Sequence, residues 1–186
     1  MSERLQGINH LQTTLRLPLR HVTRVAMSTD SQGVTRRILL ADLAATEALG
    51  AQIAAGLRKG DAVALEGDLG AGKTTLARAI LHALAVTENV PSPTFTLVQT
   101  YETPRLAVRH YDFYRVLNPN EIDELGLDEA LDEGAALIEW PERAGDRMPD
   151  DALHVLLTAT GAQSRSAEIS GPLRWASFFT ESALAR

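Results

Sequence analysis

One glycine-rich stretch restricts the fold of this chain more than any other feature. Its sequence, GDLGAGKT, follows the pattern G-x-x-x-x-G-K-[ST] of phosphate-binding loops. A short apolar run at 61–66 precedes it, and apolar residues follow it at i, i+3, i+4, i+7 and i+8, which is one face of a helix. This order lets backbone N–H groups and the positive end of a helix converge on phosphate oxygens. The loop consists of Gly67, Asp68, Leu69, Gly70, Ala71, Gly72, Lys73 and Thr74.

Lysine usage supports the same interpretation. Lys59 and Lys73 are the only lysines among the 186 residues, and the remaining Lys/Arg positions are all arginine. Lys73 occupies the motif position from which a compact ammonium group reaches the β- and γ-phosphates of a nucleotide. The loop and its lysine therefore predict a nucleotide-binding site.

The bulk composition indicates one globular domain and argues against several classes of protein. Hydrophobic residues make up 45% and charged residues 23% of the chain, which is ordinary for a soluble domain. A formal net charge of -6 argues against a domain that binds nucleic acid by itself. The chain has no cysteine for a disulfide or a thiolate metal site, and no apolar run approaches the roughly 20 residues of a membrane-spanning helix. We therefore expect a cytoplasmic protein without membrane attachment.

The degree of structural order that we expect differs among three segments of the chain. Residues 1–36 are rich in arginine and poor in acids, and we expect a disordered extension, with Met27 a candidate for the true start. A basic arm or an organelle-targeting segment is the alternative. An ordered domain is expected over residues 37–172, because the first strand pattern begins near Ile38. Residues 173–186 are weakly helical and are expected to form a peripheral tail.

Alternating strand and helix patterns predict an α/β fold. Helices are expected at 43–57, where Asp42 is the cap, after the phosphate loop, and from a cap at Asn118 to Gly126, with another turn or two to 131. Strands are expected at 38–40, 61–66, 95–101, 106–112, 135–140, 153–158 and 164–170. Together they predict a single domain of the P-loop NTPase type, a mixed β-sheet flanked by helices.

Two carboxylates end apolar strands, which is where doubly wound sheets place their ligands. Asp112 ends one predicted strand and Glu139 another. Mg²⁺ requires oxygen ligands, and Thr74 supplies a hydroxyl from the last position of the motif. At least one of the carboxylates is therefore expected near a magnesium ion, and spacing alone does not decide which one.

Four further features are open to two interpretations each. The proline-flanked loop 91–94 is a candidate switch in which Ser92 or Thr94 senses a terminal phosphate, or simply a stiff connection. His110 is a packed core residue, or a general base or the residue that orients one. Arg115 stabilises charge on a phosphate or pairs with the acidic residues of 121–133. That acidic run is a solvated face or a docking surface for a basic partner.

Five motifs in one order resemble the TsaE (YjeE) family, the ATPase of the bacterial system that places threonylcarbamoyladenosine in tRNA. They are GDLGAGKTT at 67–75, SPTFTL at 92–97, HYDFYR at 110–115, ELGL at 124–127 and IEWP at 138–141. The resemblance covers residues 38–170 and leaves 1–36 without a counterpart. It implies an α/β ATPase of the P-loop type that uses ATP and Mg²⁺. It also implies TsaD- and TsaB-like partners, which modify adenosine-37, so that this chain meets tRNA only indirectly.

The resemblance implies roles for individual residues as well. Lys73, Thr94 and Asp112 would be catalytic, with Thr94 in a switch-like loop and Asp112 in an essential acidic motif. Thr74 and Glu139 would hold Mg²⁺. The loop from Gly67 to Thr75 would contact the nucleotide phosphates, whereas Asp42 and Gln163 match stretches near the adenine base.

Two other functions compete with an ATPase that drives a partner complex. A small-molecule kinase on the same fold would need an acceptor pocket and an arginine-rich lid, for which 145–147 is the candidate and is too short. A GTP-dependent switch would carry an Asn-Lys-x-Asp guanine reader, and the chain has no lysine after residue 73. The resemblance, together with these two missing features, therefore favours the ATPase.

Overall fold

A computed structural model describes residues 26–29 and 33–179 of the protein. Its strands are β1 (Ala26–Thr29), β2 (Val34–Leu40), β3 (Ala62–Glu66), β4 (Val98–Glu102), β5 (Ala107–Asp112), β6 (Gly134–Glu139), β7 (Leu153–Ala159) and β8 (Arg165–Gly171). Its α-helices are α1 (Leu43–Gly56), α2 (Lys73–Ala83), α3 (Asn120–Glu124) and α4 (Leu127–Glu133). Single 3-10 turns lie at Pro141–Arg143, Gly145–Arg147 and Leu173–Trp175.

The strands form one mixed sheet in the order β1-β2-β8-β7-β3-β6-β5-β4. The central pairs β7–β3, β3–β6 and β6–β5 are parallel, and the outer pairs are antiparallel. The carboxyl ends of β3, β6 and β5 consequently lie side by side at one edge, where the phosphate loop leaves β3. The α/β fold with a mixed sheet and flanking helices that the sequence predicts is confirmed.

Helices cover both faces of the sheet. Ile53 of α1 and Leu76 of α2 belong to an apolar cluster that includes Leu137 of β6. Ile122 of α3 belongs to a second cluster that includes Ile138, the next residue of the same strand. Because successive strand residues point to opposite faces, the two clusters lie on opposite sides of the sheet. None of the helices in the described ranges is long and apolar enough to cross a bilayer.

Two helix caps follow the prediction. The Asp42 carboxylate accepts a hydrogen bond from the N–H of Ala45 at 2.9 Å, at the start of α1. Asn118 accepts from the N–H of Asn120 at 3.0 Å, and Glu121 accepts from the N–H of Asn118 at 3.0 Å. This reciprocal arrangement is a capping box, and it fixes the start of α3.

The first predicted strand begins earlier than the sequence pattern indicates. β2 starts at Val34 rather than near Ile38, and β1 pairs with it, so part of the segment 1–36 belongs to the sheet. The alternation was hidden because Arg36 occupies an inward-facing position and is nevertheless buried. Met27 lies in β1, whereas the expectations for residues 1–25 and 30–32 fall outside the described residues.

The strand predicted at 95–101 is wrong at its beginning. Residues 94–96 form a turn, and the Phe95 side chain is 81% exposed. Leu97 adopts a left-handed conformation (φ 64°) and its N–H donates to the carbonyl of Pro93 at 2.7 Å. This turn delays the strand to Val98, although Phe95, Leu97 and Tyr101 alternate in sequence as strand residues do.

The segment after β8 is not the peripheral tail that its composition suggested. Trp175 and Phe179 are buried in the same apolar cluster as α1 and α2. Arg174 forms an ion pair with Asp61, which precedes β3, and its guanidinium lies 4.4 Å from the Trp175 ring centroid. The C-terminal segment up to Phe179 is therefore part of the core, and residues 180–186 fall outside the described part of the chain.

Candidate functional site

The phosphate loop connects β3 to α2 through three glycines with positive φ. Gly67, Gly70 and Gly72 have φ values of 125°, 80° and 109°, a region in which residues with a side chain are strained. A Cβ atom at Gly67 would lie 2.2 Å from the carbonyl oxygen of Leu157, whereas one at Gly70 would meet no atom of the described residues within 4 Å. Gly72 is the cap of α2 and provides no side-chain hydrogen bond, so the helix N-terminus is open toward an anion.

The Lys73 side chain is folded over the loop from which it projects. Its ammonium donates to the carbonyls of Gly67 at 2.6 Å and Asp68 at 2.9 Å, and it lies 3.8 Å from the ring centroid of Trp140. Burial lowers the pKa of Lys73, and the nearby carboxylates, chiefly Glu139, oppose that shift. The loop therefore encloses a partly desolvated cation.

Thr74, in the first turn of α2, contacts Glu139 at the end of β6. The Thr74 hydroxyl donates to Oε2 of Glu139 at 3.0 Å, and Glu139 is buried. Neighbouring oxygen ligands of an octahedral Mg²⁺, each about 2.0–2.1 Å from the metal, are about 3.0 Å apart. The separation and chemistry of these two oxygens therefore fit a shared magnesium ion.

Asp112 ties the loop 91–97 to the end of β5. Its Oδ2 accepts hydrogen bonds from the Thr94 hydroxyl at 2.5 Å and the Ser92 hydroxyl at 3.2 Å, and its Oδ1 accepts from the N–H of Tyr114 at 3.0 Å. The N–H of Asp112 also donates to the carbonyl of Leu97 at 3.0 Å. Asp112 is the register partner of Glu139, so the two carboxylates stand on adjacent strands beside the phosphate loop.

Two cavities meet at the N-terminus of α2. One, of about 290 Å³, is bounded by the phosphate loop, Thr94, Asp112, Glu139 and Trp140. The other, of about 360 Å³, is lined by apolar side chains, including Leu40, Leu43 and Leu157, and also by polar ones, including Gln163. Gly72, Thr75 and Arg165 line both cavities. We name the first the polar cavity, after its charged and hydroxyl side chains, and the second the apolar cavity, after its leucines; adjoining cavities of these two kinds fit a ligand with both charged and apolar parts.

The structure brings most of the predicted site residues to these two cavities. Lys73, Thr74, Thr94, Asp112 and Glu139 surround the polar cavity, and Gln163 lines the apolar one. Asp42 lines neither cavity, because its carboxylate caps α1 and its neighbour Leu43 lines the apolar cavity instead. Within the loop, Leu69 and Gly70 line the polar cavity and Ala71 the apolar one, whereas Gly67 and Asp68 accept hydrogen bonds from Lys73.

Three residues at the site were not predicted as members of it. The Nε of Arg165 donates to the carbonyl of Ala71 at 3.1 Å, which places the guanidinium between the two cavities. Trp140 has a left-handed backbone (φ 60°), and its ring centroid lies 4.9 Å from that of Tyr114. Two sequence features could have indicated these residues. One is an arginine directly after the hairpin turn at 160–164, and the other is an aromatic residue directly after Glu139.

Specific contacts are observed for three residues whose roles the sequence left open or proposed only for an alternative function. His110 is fully buried, as a core residue would be, but its Nε2 lies 2.9 Å from Oε1 of Glu139. The guanidinium of Arg115 lies 4.3 Å from the ring centroid of Phe95. Arg147, the candidate lid residue of a kinase, pairs with Asp123 and Asp146 and so is directed toward α3.

A glycine-rich loop between a buried parallel strand and a helix, with carboxylates ending the neighbouring strands, defines a protein of the P-loop NTPase-like class. A family model described as "Threonylcarbamoyl adenosine biosynthesis protein TsaE" matches residues 40–167. The protein therefore belongs to the TsaE family.

Individual relatives agree with this assignment. The chain is 42% identical over 139 residues to the tRNA threonylcarbamoyladenosine biosynthesis protein TsaE of Nostoc sp., which covers 72% of this chain and 85% of that protein. It is 48% identical over 98 residues to the TsaE protein of Rickettsia felis, 52% of this chain. That match spans only 57% of the R. felis protein, and a similar one spans 60% of the Rickettsia prowazekii protein, less than two thirds of either.

The fold is also similar to a solved structure. The crystal structure of YdiB from Bacillus subtilis superposes with a TM-score of 0.64 at 29% identity, and the match covers 81% of this chain and 94% of that one.

Proposed function

We propose that the protein is a Mg²⁺-dependent ATPase that serves the formation of threonylcarbamoyladenosine in tRNA. The observation that carries the ATPase part is the contact between Thr74 and Glu139 beside a phosphate loop, because the 3.0 Å between these two oxygens is the separation expected of neighbouring Mg²⁺ ligands. The tRNA-modification part is supported by the names of the relatives. ATP is the proposed nucleotide, since the chain has no Asn-Lys-x-Asp guanine reader.

In this proposal, different side chains of the site bind the phosphates, the metal and the base. Lys73 would exchange its two loop carbonyls for oxygens of the β- and γ-phosphates, a move that the flexible lysine stem permits. Thr74 and Glu139 would hold Mg²⁺, which when bound neutralises charge that develops on the phosphates. Arg165, between the two cavities, would lie along the path from base to phosphates. Gln163 and the apolar residues of the second cavity would surround the adenine.

Asp112 and Thr94 would connect hydrolysis to the conformation of the loop 91–97. Asp112 accepts three hydrogen bonds, two of them from Ser92 and Thr94. A hydroxyl released from Asp112 could bond the terminal phosphate, and the freed carboxylate oxygen could accept a proton from the attacking water. Loss of that phosphate would return the hydroxyls to Asp112, so the loop position would follow the state of the nucleotide.

Removing either carboxylate should impair hydrolysis more than ADP binding. For Asp112→Asn we expect turnover to fall by about 100-fold, the usual contribution of a positioned acid or base. For Glu139→Gln we expect a loss of about 10- to 100-fold that higher Mg²⁺ partly restores, because a ligand to the metal is weakened. Phosphate release measures turnover, and calorimetric titration measures ADP affinity.

Glu102→Gln provides the matched control for both variants. Glu102 is exposed at the far end of β4, opposite the edge that carries the site, and its replacement should leave turnover unchanged. Wild-type turnover in both Asp112→Asn and Glu139→Gln would remove these residues from the proposed catalytic site.

We further propose that TsaD- and TsaB-like proteins are the partners whose cycle the ATPase drives. The seven acids between residues 121 and 133 are all exposed, although Asp123 pairs with Arg147, Glu133 pairs with Arg109, and Glu121 caps α3. The acids that have no such role among the described residues, including Glu124, Asp128 and Asp132, form the part of this surface available to a basic partner.

Charge reversal on this surface should weaken association without unfolding the chain. The triple variant Glu124→Lys, Asp128→Lys, Asp132→Lys should bind the TsaD–TsaB complex at least about 10-fold more weakly, with an effect that salt reduces, because the contact is electrostatic. Surface plasmon resonance measures the affinity. Glu47→Lys with Glu88→Lys, two exposed acids elsewhere, is the control. Equal affinity of the triple variant and the control would mean that this surface is a solvated face and does not bind the partner.

A further inference from the structure

His110 is a buried imidazole that lies beneath the site and contributes to neither cavity wall. It pairs in register with Leu137, two residues before the Asp112–Glu139 pair on the same two strands. Because residues two apart on a strand face the same side, His110 lies one step deeper than Asp112 on the same face of the sheet. Its side chain is 0% exposed. A residue in this position can act on the site only through a neighbouring side chain.

That neighbour is Glu139. The Nε2 of His110 lies 2.9 Å from Oε1 of Glu139, while Oε2 of Glu139 accepts from the Thr74 hydroxyl at 3.0 Å. A carboxylate that binds a metal is ionised and only accepts hydrogen bonds, so with Glu139 in that state the ring nitrogen is the donor. The two donors approach different oxygens of one carboxylate and thereby fix its rotation about the last side-chain bond.

Packing alone does not account for an imidazole here. The Nδ1 of His110 is buried and has no hydrogen-bond partner among the described residues. Leaving a buried polar atom unpaired is unfavourable, and an apolar side chain of similar volume would avoid it. The hydrogen bond from Nε2 to Glu139 is thus the one polar interaction in the described structure that this side chain makes.

We propose that His110 is a positioning residue that holds Glu139 with Oε2 directed at the magnesium site. The inference rests on the proposed function, because it assigns to Glu139 the metal that the proposal places there. It predicts that His110 affects the binding of Mg²⁺ with the nucleotide and leaves the binding of the nucleotide alone unchanged.

The test measures the affinity of the full chain for a mant-labelled, non-hydrolysable ATP analogue, once with Mg²⁺ and once with EDTA. The ratio of the two affinities reports how strongly the metal contributes. His110→Leu removes the hydrogen-bond donor, and His110→Asn has a side chain too short to bring its amide nitrogen to Glu139. In both variants the ratio should fall about tenfold, the typical cost of removing a group that orients a metal ligand. His110→Gln, whose amide nitrogen can occupy the position of Nε2, should keep most of the wild-type ratio.

Each outcome decides between a positioning and a structural role. An unchanged ratio in all three variants, or a fall of both affinities together, would overturn the proposal. If His110→Leu does not fold, as circular dichroism would show, the comparison of His110→Gln with His110→Asn decides the question by itself. Failure of the wild-type chain to bind the analogue at all would instead overturn the proposed function, together with the inference that depends on it.

Discussion

Replacing Lys73 with alanine should reduce nucleotide affinity by about 100-fold or more and abolish detectable ATP hydrolysis. A hydrogen bond to a charged group contributes about 1.5–3 kcal/mol, and the ammonium of Lys73 would make such bonds to two phosphates. Calorimetric titration with ADP and with a non-hydrolysable ATP analogue measures the first effect, and phosphate release measures the second.

The chain offers a close control for this experiment. Lys59, the other lysine, is exposed in the turn before β3, and Lys59→Ala should change neither measurement. Because Lys73 also donates to the carbonyls of Gly67 and Asp68, its removal could disturb the loop itself. Lys73→Met keeps the bulk of the side chain without the charge, and it should lose affinity as alanine does. Wild-type turnover in either variant would refute the site.

Replacing Trp175 with alanine should lower the free energy of unfolding by about 3–5 kcal/mol, the usual cost of removing a buried aromatic side chain. Trp175 is 0% exposed, and its ring centroid lies 6.2 Å from that of Phe179 and 6.0 Å from that of Phe178. A methyl group on Gly56 would approach the Trp175 ring to 2.5 Å, which shows how closely α1 packs against it. Urea denaturation followed by circular dichroism measures the change.

Leu173→Ala is the control for the C-terminal segment. Leu173 is 47% exposed, and a surface substitution of this kind should change the free energy of unfolding by no more than about 0.5 kcal/mol. A midpoint for Trp175→Ala equal to that of wild type would mean that the segment is dispensable for stability, as its composition alone suggested.

The sequence predicted best those elements whose local pattern and tertiary position agree. The strand before the phosphate loop is buried on both sides and therefore a continuous apolar run, and Asn118 and Glu121 form the capping box that their spacing indicates. The pattern failed where a tertiary contact opposed it. Arg36 is buried in an inward-facing strand position, and the left-handed turn at Leu97 interrupts an alternation that continues in the letters.

The residues of the site likewise fall into those that the sequence pattern could identify and those that depend on a tertiary contact. Residues fixed by the motif or by the end of a strand, such as Lys73, Asp112 and Glu139, could be placed beside one another from sequence, because parallel strands bring their carboxyl ends together. Arg165 could not, since its approach to Ala71 depends on β8 reaching the phosphate loop from the far side of β7. The partnership of His110 with Glu139 likewise depends on the register between β5 and β6, which one strand alone does not reveal.

The crowding at Gly67 means that the glycines of the loop are retained for unequal reasons. Any side chain at Gly67 would collide with the Leu157 carbonyl of the neighbouring strand, so this position is constrained even in a chain that binds nothing. No described residue lies within 4 Å of the position that a Cβ atom of Gly70 would take, and the positive φ of Gly70 is one that asparagine also tolerates. In related proteins that no longer bind a nucleotide, we expect Gly70 to be substituted early. We expect Gly67 to be kept for as long as the sheet keeps its structure. A glycine at the position of Gly67 would then show that a protein descends from a nucleotide-binding ancestor, but it would not show that the protein still binds a nucleotide.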